Sequence, residues 1–378
     1  MKIVLFYPSV VCGGDHATGH FIRGVAGELV QRGHAVRLLE AAGASPTGTA
    51  ARQEMTRLLP GLETGQFDGQ GVDLWWALRG ADLVIVHEAV GLPLARQIGA
   101  YRSRSCGFRL LLHAGTHASS GVGEAAMAGL WDLPGYDGVL NGGAARHEHN
   151  FAHRDGIFSW RWTAAVNANL FDSEQVADTS KQGDAIWVGH WSGGRREKLL
   201  RELFVQPLQT TGLTGCVCGG GYPPRFRRLL HDAGIRLEGV VPNRRLPRLL
   251  SRHRVAFHLE AERHRAPADL PMRMMEAMAC AVPVIVAGPL PNFEGLTAGV
   301  HFAHAPDGPA VAQMLQTLIN DHAAAERLTQ KARTAMLTHH TCAARVDQLL
   351  VICHDMGMAS PAQRKGTTLD TEAAKPAP

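Results

Sequence analysis

The strongest constraint on this chain is an alternation that occurs twice: short apolar runs rich in β-formers, each followed by a stretch of helical period. Lys2–Pro8 reads as a buried strand. A helix from about Gly19 to Gly33 follows, with Phe21, Val25, Leu29 and Val30 on one face and Gly33 ending it. Ala35–Leu39, Ala81–His87, Phe108–His113 and the weaker Tyr136–Leu140 read as further strands. Apolar runs joined by helical connections predict a parallel sheet covered on both faces.

A second series starts near Ala185. Strands are expected at Ala185–Val188, Thr214–Cys218, Arg236–Val241, Arg254–Leu259 and Val282–Ala287. Helices are expected at Glu197–Leu208, Arg225–Ala233, Leu246–His253 and Pro271–Cys280, with helical period resuming from Pro309 to Met356. With 378 residues the chain can build two cores. The expected fold class is α/β, with two Rossmann-like, doubly wound parallel-sheet domains over residues 1–165 and 166–356. Residues 357–378, rich in Pro, Thr, Ala and Lys, read as a disordered tail.

Composition narrows the function classes. A formal charge of +4, from 38 basic and 34 acidic residues, demands neither nucleic acid nor an anionic membrane as partner. No apolar run approaches the ~20 residues of a membrane span, and the first strand does not read as a signal peptide. The seven cysteines show neither a disulfide framework nor a zinc spacing, so they read as reduced thiols of a cytoplasmic protein.

The chemistry-bearing signals are turns at strand ends. Gly13-Gly14-Asp15-His16 follows the first strand and precedes a helix whose free N–H groups can meet an anion, although Asp15 could also simply cap that helix. In the second half, three loops lie where a doubly wound sheet binds ligands: Gly189-His190-Trp191-Ser192-Gly193-Gly194, Gly219-Gly220-Gly221-Tyr222 and Val241-Pro242-Asn243-Arg244-Arg245. Glycine permits close backbone approach, and arginine offers a forked donor to phosphate. Arg273 and Glu276 stand three apart on one helix face among methionines and alanines, so the carboxylate needs a partner. Two ribose hydroxyls would satisfy it, and an ion pair with Arg273 is the competing reading. His147, His149 and His153 with Glu148 read as a solvated helix face, and no metal site is assigned. No D-x-D tripeptide occurs. The arginine clusters at 225–228, 244–248 and 252–254 read as helix faces plus one phosphate contact, with an extended polyanion such as DNA as the alternative.

Three segments carry a resemblance to a known family. Val241-Pro242-Asn243-Arg244, the run from Met272 through Glu276-Ala277-Met278-Ala279-Cys280 to Val284, and His339–Leu350 resemble the CgeB-like glycosyltransferases, which have the GT-B fold. Gly14–Thr18 and Arg32-Gly33-His34 are similar to the same family. The resemblance implies a donor-binding C-terminal half in which Glu276 holds the ribose and Arg273 fixes that helix. It implies that Gly189-His190-Trp191 line the diphosphate and sugar, that Asn243 and its neighbours approach the base, and that His16 and His113 face the cleft. Related retaining enzymes often carry an acidic residue eight positions before the ribose glutamate, and here that position is Ala268.

The expected activity is therefore transfer of a sugar from a nucleotide-sugar co-substrate, without a metal or other cofactor. The acceptor is unidentified, with a small molecule, a glycan or DNA as the candidates. The expected catalytic residues are Asp15, His16 and His113. Those expected at the donor are Gly14, Gly189, His190, Trp191, Gly219, Gly220, Asn243, Arg244, Arg273 and Glu276. A nucleotide-sugar epimerase of the same fold and a non-catalytic nucleotide-sugar or DNA-binding protein are the rival readings.

Overall fold

The computed structural model describes residues 1–8, 10, 17–42, 57, 59–68, 72–104, 107–114, 134–142, 157–172, 180–261 and 269–358. Gly14, Asp15 and His16, the histidine cluster at 147–153, Ala268 and the tail from 359 lie outside these residues.

Two parallel sheets form the frame. The first contains β1 (Lys2–Tyr7), β2 (Ala35–Ala41), β3 (Leu62–Phe67), β4 (Leu83–His87), β5 (Arg109–Ala114), β6 (Gly138–Asn141) and β7 (Phe158–Arg161). Their order is β3-β2-β1-β4-β5-β6-β7. The second contains β8 (Gly183–Val188), β9 (Gly215–Cys218), β10 (Ile235–Gly239), β11 (His253–Leu259), β12 (Val284–Ala287) and β13 (Ala303–Ala305), ordered β10-β9-β8-β11-β12-β13. Each sheet winds outward one way from its first strand, then restarts on the other side. The strand order therefore reverses between β1 and β4 and again between β8 and β11, where doubly wound sheets bind ligands.

Three strands escape the sequence reading: β3, β7 and β13. All three are sheet edges. An edge strand shields less of its length, so its apolar run dissolves. In β3 only Leu62 and Phe67 are buried, and none of β7 is. The helix expected over Glu197–Leu208 is also not one piece. It runs as α4 (Gly194–Leu200), a π-helical turn (Arg201–Val205) and α5 (Gln206–Thr211). Pro207 has no N–H to offer the preceding turn, and the widened turn absorbs that loss.

A seam of helices joins the two halves. Helix α1 (Ala17–Gln31) follows β1, and α8 (Met272–Ala279) precedes β12. After α9 (Gly308–Asn320), α10 (His322–His339) packs on α8. The last helix, α11 (Cys342–Asp355), returns to cover α1. Gly24 makes that approach possible, because a Cβ there would lie 2.4 Å from Cys342 Sγ. The return is pinned by Trp162, fully buried, whose Nε1–H donates to the Arg345 carbonyl at 2.9 Å. Arg345 in turn donates through Nε to the Thr163 carbonyl at 2.8 Å. One apolar core continues from Ile3 and Leu5 under β1, through Val25 and Val346, to Met275 and Val284.

Candidate functional site

The carboxyl ends of β8, β9 and β10 bring two of the expected loops into direct contact. Gly189 N–H donates to the Cys218 carbonyl at 2.8 Å, and Trp191 N–H to the Gly220 carbonyl at 3.0 Å. Tyr222 Oη–H donates to the Gly189 carbonyl at 2.8 Å. Gly219 must be glycine twice over: its φ is +143°, and a Cβ there would lie 2.0 Å from Gly189 O. Trp191 is packed against Phe226 with ring centroids 4.8 Å apart. His190 is exposed, and its Nδ1 accepts from Gly220 N–H at 3.0 Å. In the neutral ring that fixes the proton on Nε2, which makes His190 a hydrogen-bond donor.

The third loop forms a 3-10 turn, Asn243–Arg245, beside the same strand ends. Arg244 is exposed, while Asn243 Oδ1 is buried with no hydrogen-bond partner among the described residues. The arginine clusters are largely engaged locally. Arg225 pairs with Glu197 at 2.7 Å, and Arg227 donates to the Tyr222 carbonyl at 2.7 Å.

Arg273 and Glu276 sit on α8, of which every residue but Arg273 is buried. Glu276 is 0% exposed, and both its oxygens are taken. Arg273 donates to Oε2 at 2.8 Å, and His20 Nδ1 lies 2.6 Å from Oε1. His20 comes from the first turns of α1, so this bond crosses from one half of the molecule to the other. Burial alone raises the Glu276 carboxyl, but the Arg273 charge and the His20 hydrogen bond outweigh it, holding the group below its ordinary value. Burial pushes His20 down, with Arg273 and Arg23 adding to the effect and Glu276 opposing it. At neutral pH the trio is therefore a carboxylate between a guanidinium and a neutral imidazole.

Across the first sheet, the ends of β1, β4 and β5 gather buried polar groups. Tyr7 Oη and His113 Nδ1 share a hydrogen bond of 2.8 Å. His113 is 3% exposed, boxed edge-on by His87 at 5.2 Å and Trp162 at 5.0 Å between ring centroids. Among the described residues it is thus enclosed; that it faces a cleft is what the family resemblance implies. His87 Nδ1 accepts from Ala89 N–H at 3.1 Å, and Glu88 beside it is buried.

His20, Tyr7, His87 and Glu88 are absent from the sequence-derived site. For His20 a signal existed. His20, Gly24 and Gly27 recur at i, i+4 and i+7, a face of small residues that only a close-packed neighbour can cover. Tyr7 and His87 end their strands as ordinary β residues, and nothing in their spacing marks them.

A family model described as "Glycosyl transferase-like" matches residues 195–351, which include Gly219, Gly220, the Asn243–Arg245 turn and α8 and begin just after the Gly189-His190-Trp191 loop. No curated protein sequence matches the chain significantly. Solved structures resemble it over nearly its whole length. A structure of HepE from Anabaena in complex with UDP and glucose has a TM-score of 0.67 and 14% identity, covering 94% of this chain and 100% of that one. Sucrose-phosphate synthase from Thermosynechococcus elongatus has a TM-score of 0.63 and 14% identity, covering 95% and 100%. An alpha-glucosyltransferase in complex with UDP and a 13-mer DNA has a TM-score of 0.64 and 12% identity, covering 94% and 99%. With its two Rossmann-like parallel sheets, the chain has the GT-B fold.

Proposed function

We propose that this protein is a glycosyltransferase that takes a sugar from a uridine-diphosphate donor, without a metal ion, and gives it to an acceptor hydroxyl. The observation that carries this reading is a coincidence of place. The segment that matches the glycosyl transferase-like model contains Gly219 and Gly220, and the loop just before that segment sets Gly189 against Gly219, with His190 presented as a donor. The nucleotide is taken as UDP because the HepE and alpha-glucosyltransferase structures hold UDP.

In this reading the backbone around Gly189, Trp191, Gly219 and Gly220, with His190 and Arg244, receives the diphosphate and sugar, and Asn243 Oδ1 receives an N–H of the base. Gly14, Asp15 and His16 serve from the segment between β1 and α1, and His113 backs the acceptor side from within its aromatic box. The acceptor oxygen bonds to the anomeric carbon as the bond from that carbon to the diphosphate oxygen breaks, and the acceptor proton leaves to a base. Fixed donors aimed at the departing diphosphate lower the barrier. Metal independence rests on the missing D-x-D and on these cationic and amide donors.

Calorimetry with UDP-glucose, followed by product analysis with donor alone and with small-molecule, glycan and DNA acceptors, tests the reading. Binding and transfer should persist after EDTA dialysis. Conversion of the donor with no acceptor present would favour an epimerase, and loss of turnover restored by manganese would defeat metal independence.

A further inference from the structure

We propose that His20 is the residue that meets the ligand at the helix seam. Its Nε2 accepts the hydrogen of a ribose or hexose hydroxyl, and Glu276 acts through it as a positioning residue; this rests on the nucleotide-sugar reading above. The case begins with valence. An ionised carboxylate only accepts, so the 2.6 Å contact to Glu276 Oε1 puts the ring proton on Nδ1. In a neutral ring Nε2 is then a bare acceptor. That atom is buried, with His20 only 4% exposed, and has no hydrogen-bond partner among the described residues. Leaving a buried acceptor unpaired is costly, so its persistence points to a partner that arrives with the ligand.

Place and chemistry narrow that partner. His20 lies in the opening turns of α1, directly after the turn that leaves β1 at the first switch point. An acceptor nitrogen needs a donor. Diphosphate oxygens are acceptors, and the N–H of the base is given to Asn243 above, so we assign the partner to a hydroxyl of the ribose or of the transferred sugar. Each Glu276 oxygen already has one partner, His20 at Oε1 and Arg273 at Oε2, and the carboxylate is 0% exposed. It does set the tautomer and orientation of the ring, as a carboxylate does for any imidazole whose far nitrogen must act.

His20→Asn is the decisive substitution. Its side-chain amide can still donate to Glu276 from near the Nδ1 position, and only the far acceptor is lost. Binding is read by calorimetry with UDP and UDP-glucose, beside melting curves. Melting should stay close to wild type while affinity falls about three- to ten-fold, the worth of one hydrogen bond. A loss for both ligands assigns the hydroxyl to ribose, and a loss for UDP-glucose alone assigns it to the hexose. Nitrogen-15 spectra of the wild-type imidazole give an independent reading that no folding defect can confuse. His20 should show the Nδ1–H tautomer, with the Nε2 resonance moving when UDP-glucose is added. In Glu276→Gln the tautomer should become mixed, which a purely structural role for Glu276 would not produce. If wild type binds UDP-glucose, while His20→Asn binds it equally well and the Nε2 resonance stays still, this proposal fails and the transferase reading stands. If wild type binds no nucleotide sugar, both fail.

Discussion

Removing the Glu276 carboxylate should unhinge the seam, and the structure fixes how severely. The side chain is 1% exposed and is held by Arg273 at 2.8 Å and by His20 at 2.6 Å. In Glu276→Leu the volume is roughly kept, so no large cavity adds to the cost. What remains is a guanidinium and an imidazole N–H whose partner has gone. Deleting one member of a buried pair costs about 3–5 kcal/mol. The Arg273 side chain is 20% exposed, so water reaches part of the stranded charge and the lower end, about 3 kcal/mol, applies. For a cooperative unit of roughly 150–250 residues that corresponds to a melting temperature about 6–12 °C lower. Differential scanning calorimetry measures it.

A companion variant separates lost pairing from lost packing. Arg273→Met in the Glu276→Leu background removes the stranded cation. It should recover most of the deficit, because an apolar replacement of a whole buried pair is often neutral. A Glu276→Leu protein that melts within about 1 °C of wild type would refute the reasoning, and so would a double variant no more stable than the single one.

Other expectations follow from the same geometry. Gly219→Ala forces a side chain against Gly189 O and a φ that alanine rarely adopts. The two loops must part, so UDP affinity should fall at least ten-fold by calorimetry, with about 1–3 kcal/mol of stability lost. Trp162→Ala removes a fully buried indole and its bond to Arg345. It should cost about 3–5 kcal/mol in urea unfolding and raise proteolysis within α11. His20 has a folded-state pKa below its ordinary 6.5, so the folded state binds fewer protons than the unfolded one. Its contribution is complete above pH about 6.5 and is lost as pH falls through the folded value. Urea midpoints compared between pH 7.5 and 5.5 should therefore drop in wild type and drop less in His20→Asn.

The legible part of this chain is its repetition. Buried central strands such as Leu83–His87 and Val284–Ala287 are continuous apolar runs because both faces are covered, and those runs disclose two parallel sheets before any contact is known. The glycine turns after β8 and β9 are legible for a related reason: Gly219 needs a backbone and a clearance that no other residue supplies. The edge strands β3 and β7 are hidden because they shield too little, and β13 because three residues carry no period. The environment of Glu276 is hidden more deeply. Its spacing from Arg273 is local and shows in the sequence, but His20 lies 256 positions away and reaches it only through packing of α1 on the second half. Enclosure of His113 by Tyr7, His87 and Trp162 is likewise a product of strand order, which no spacing encodes.

The position of that long-range contact matters more than its strength. Helix α1 leaves β1, which borders the first switch point, and α8 lies on the connection that leaves β11, which borders the second. The His20–Glu276 bond therefore ties the helices beside the two switch points directly to each other. Other ties cross the seam as well: Asp347 accepts from Arg32 at 2.5 Å, the Arg345 carbonyl accepts from Trp162, and Arg161 of β7 pairs with Glu294. A shift of one sheet relative to the other must either break the His20 bond or carry His20 and Glu276 together. A ligand hydroxyl on Nε2 would favour the second course, since it adds a partner to the imidazole only while Glu276 keeps the ring in place. Donor binding and the alignment of the two sheets are then coupled through one imidazole, whose proton is fixed from one half while its lone pair serves the ligand.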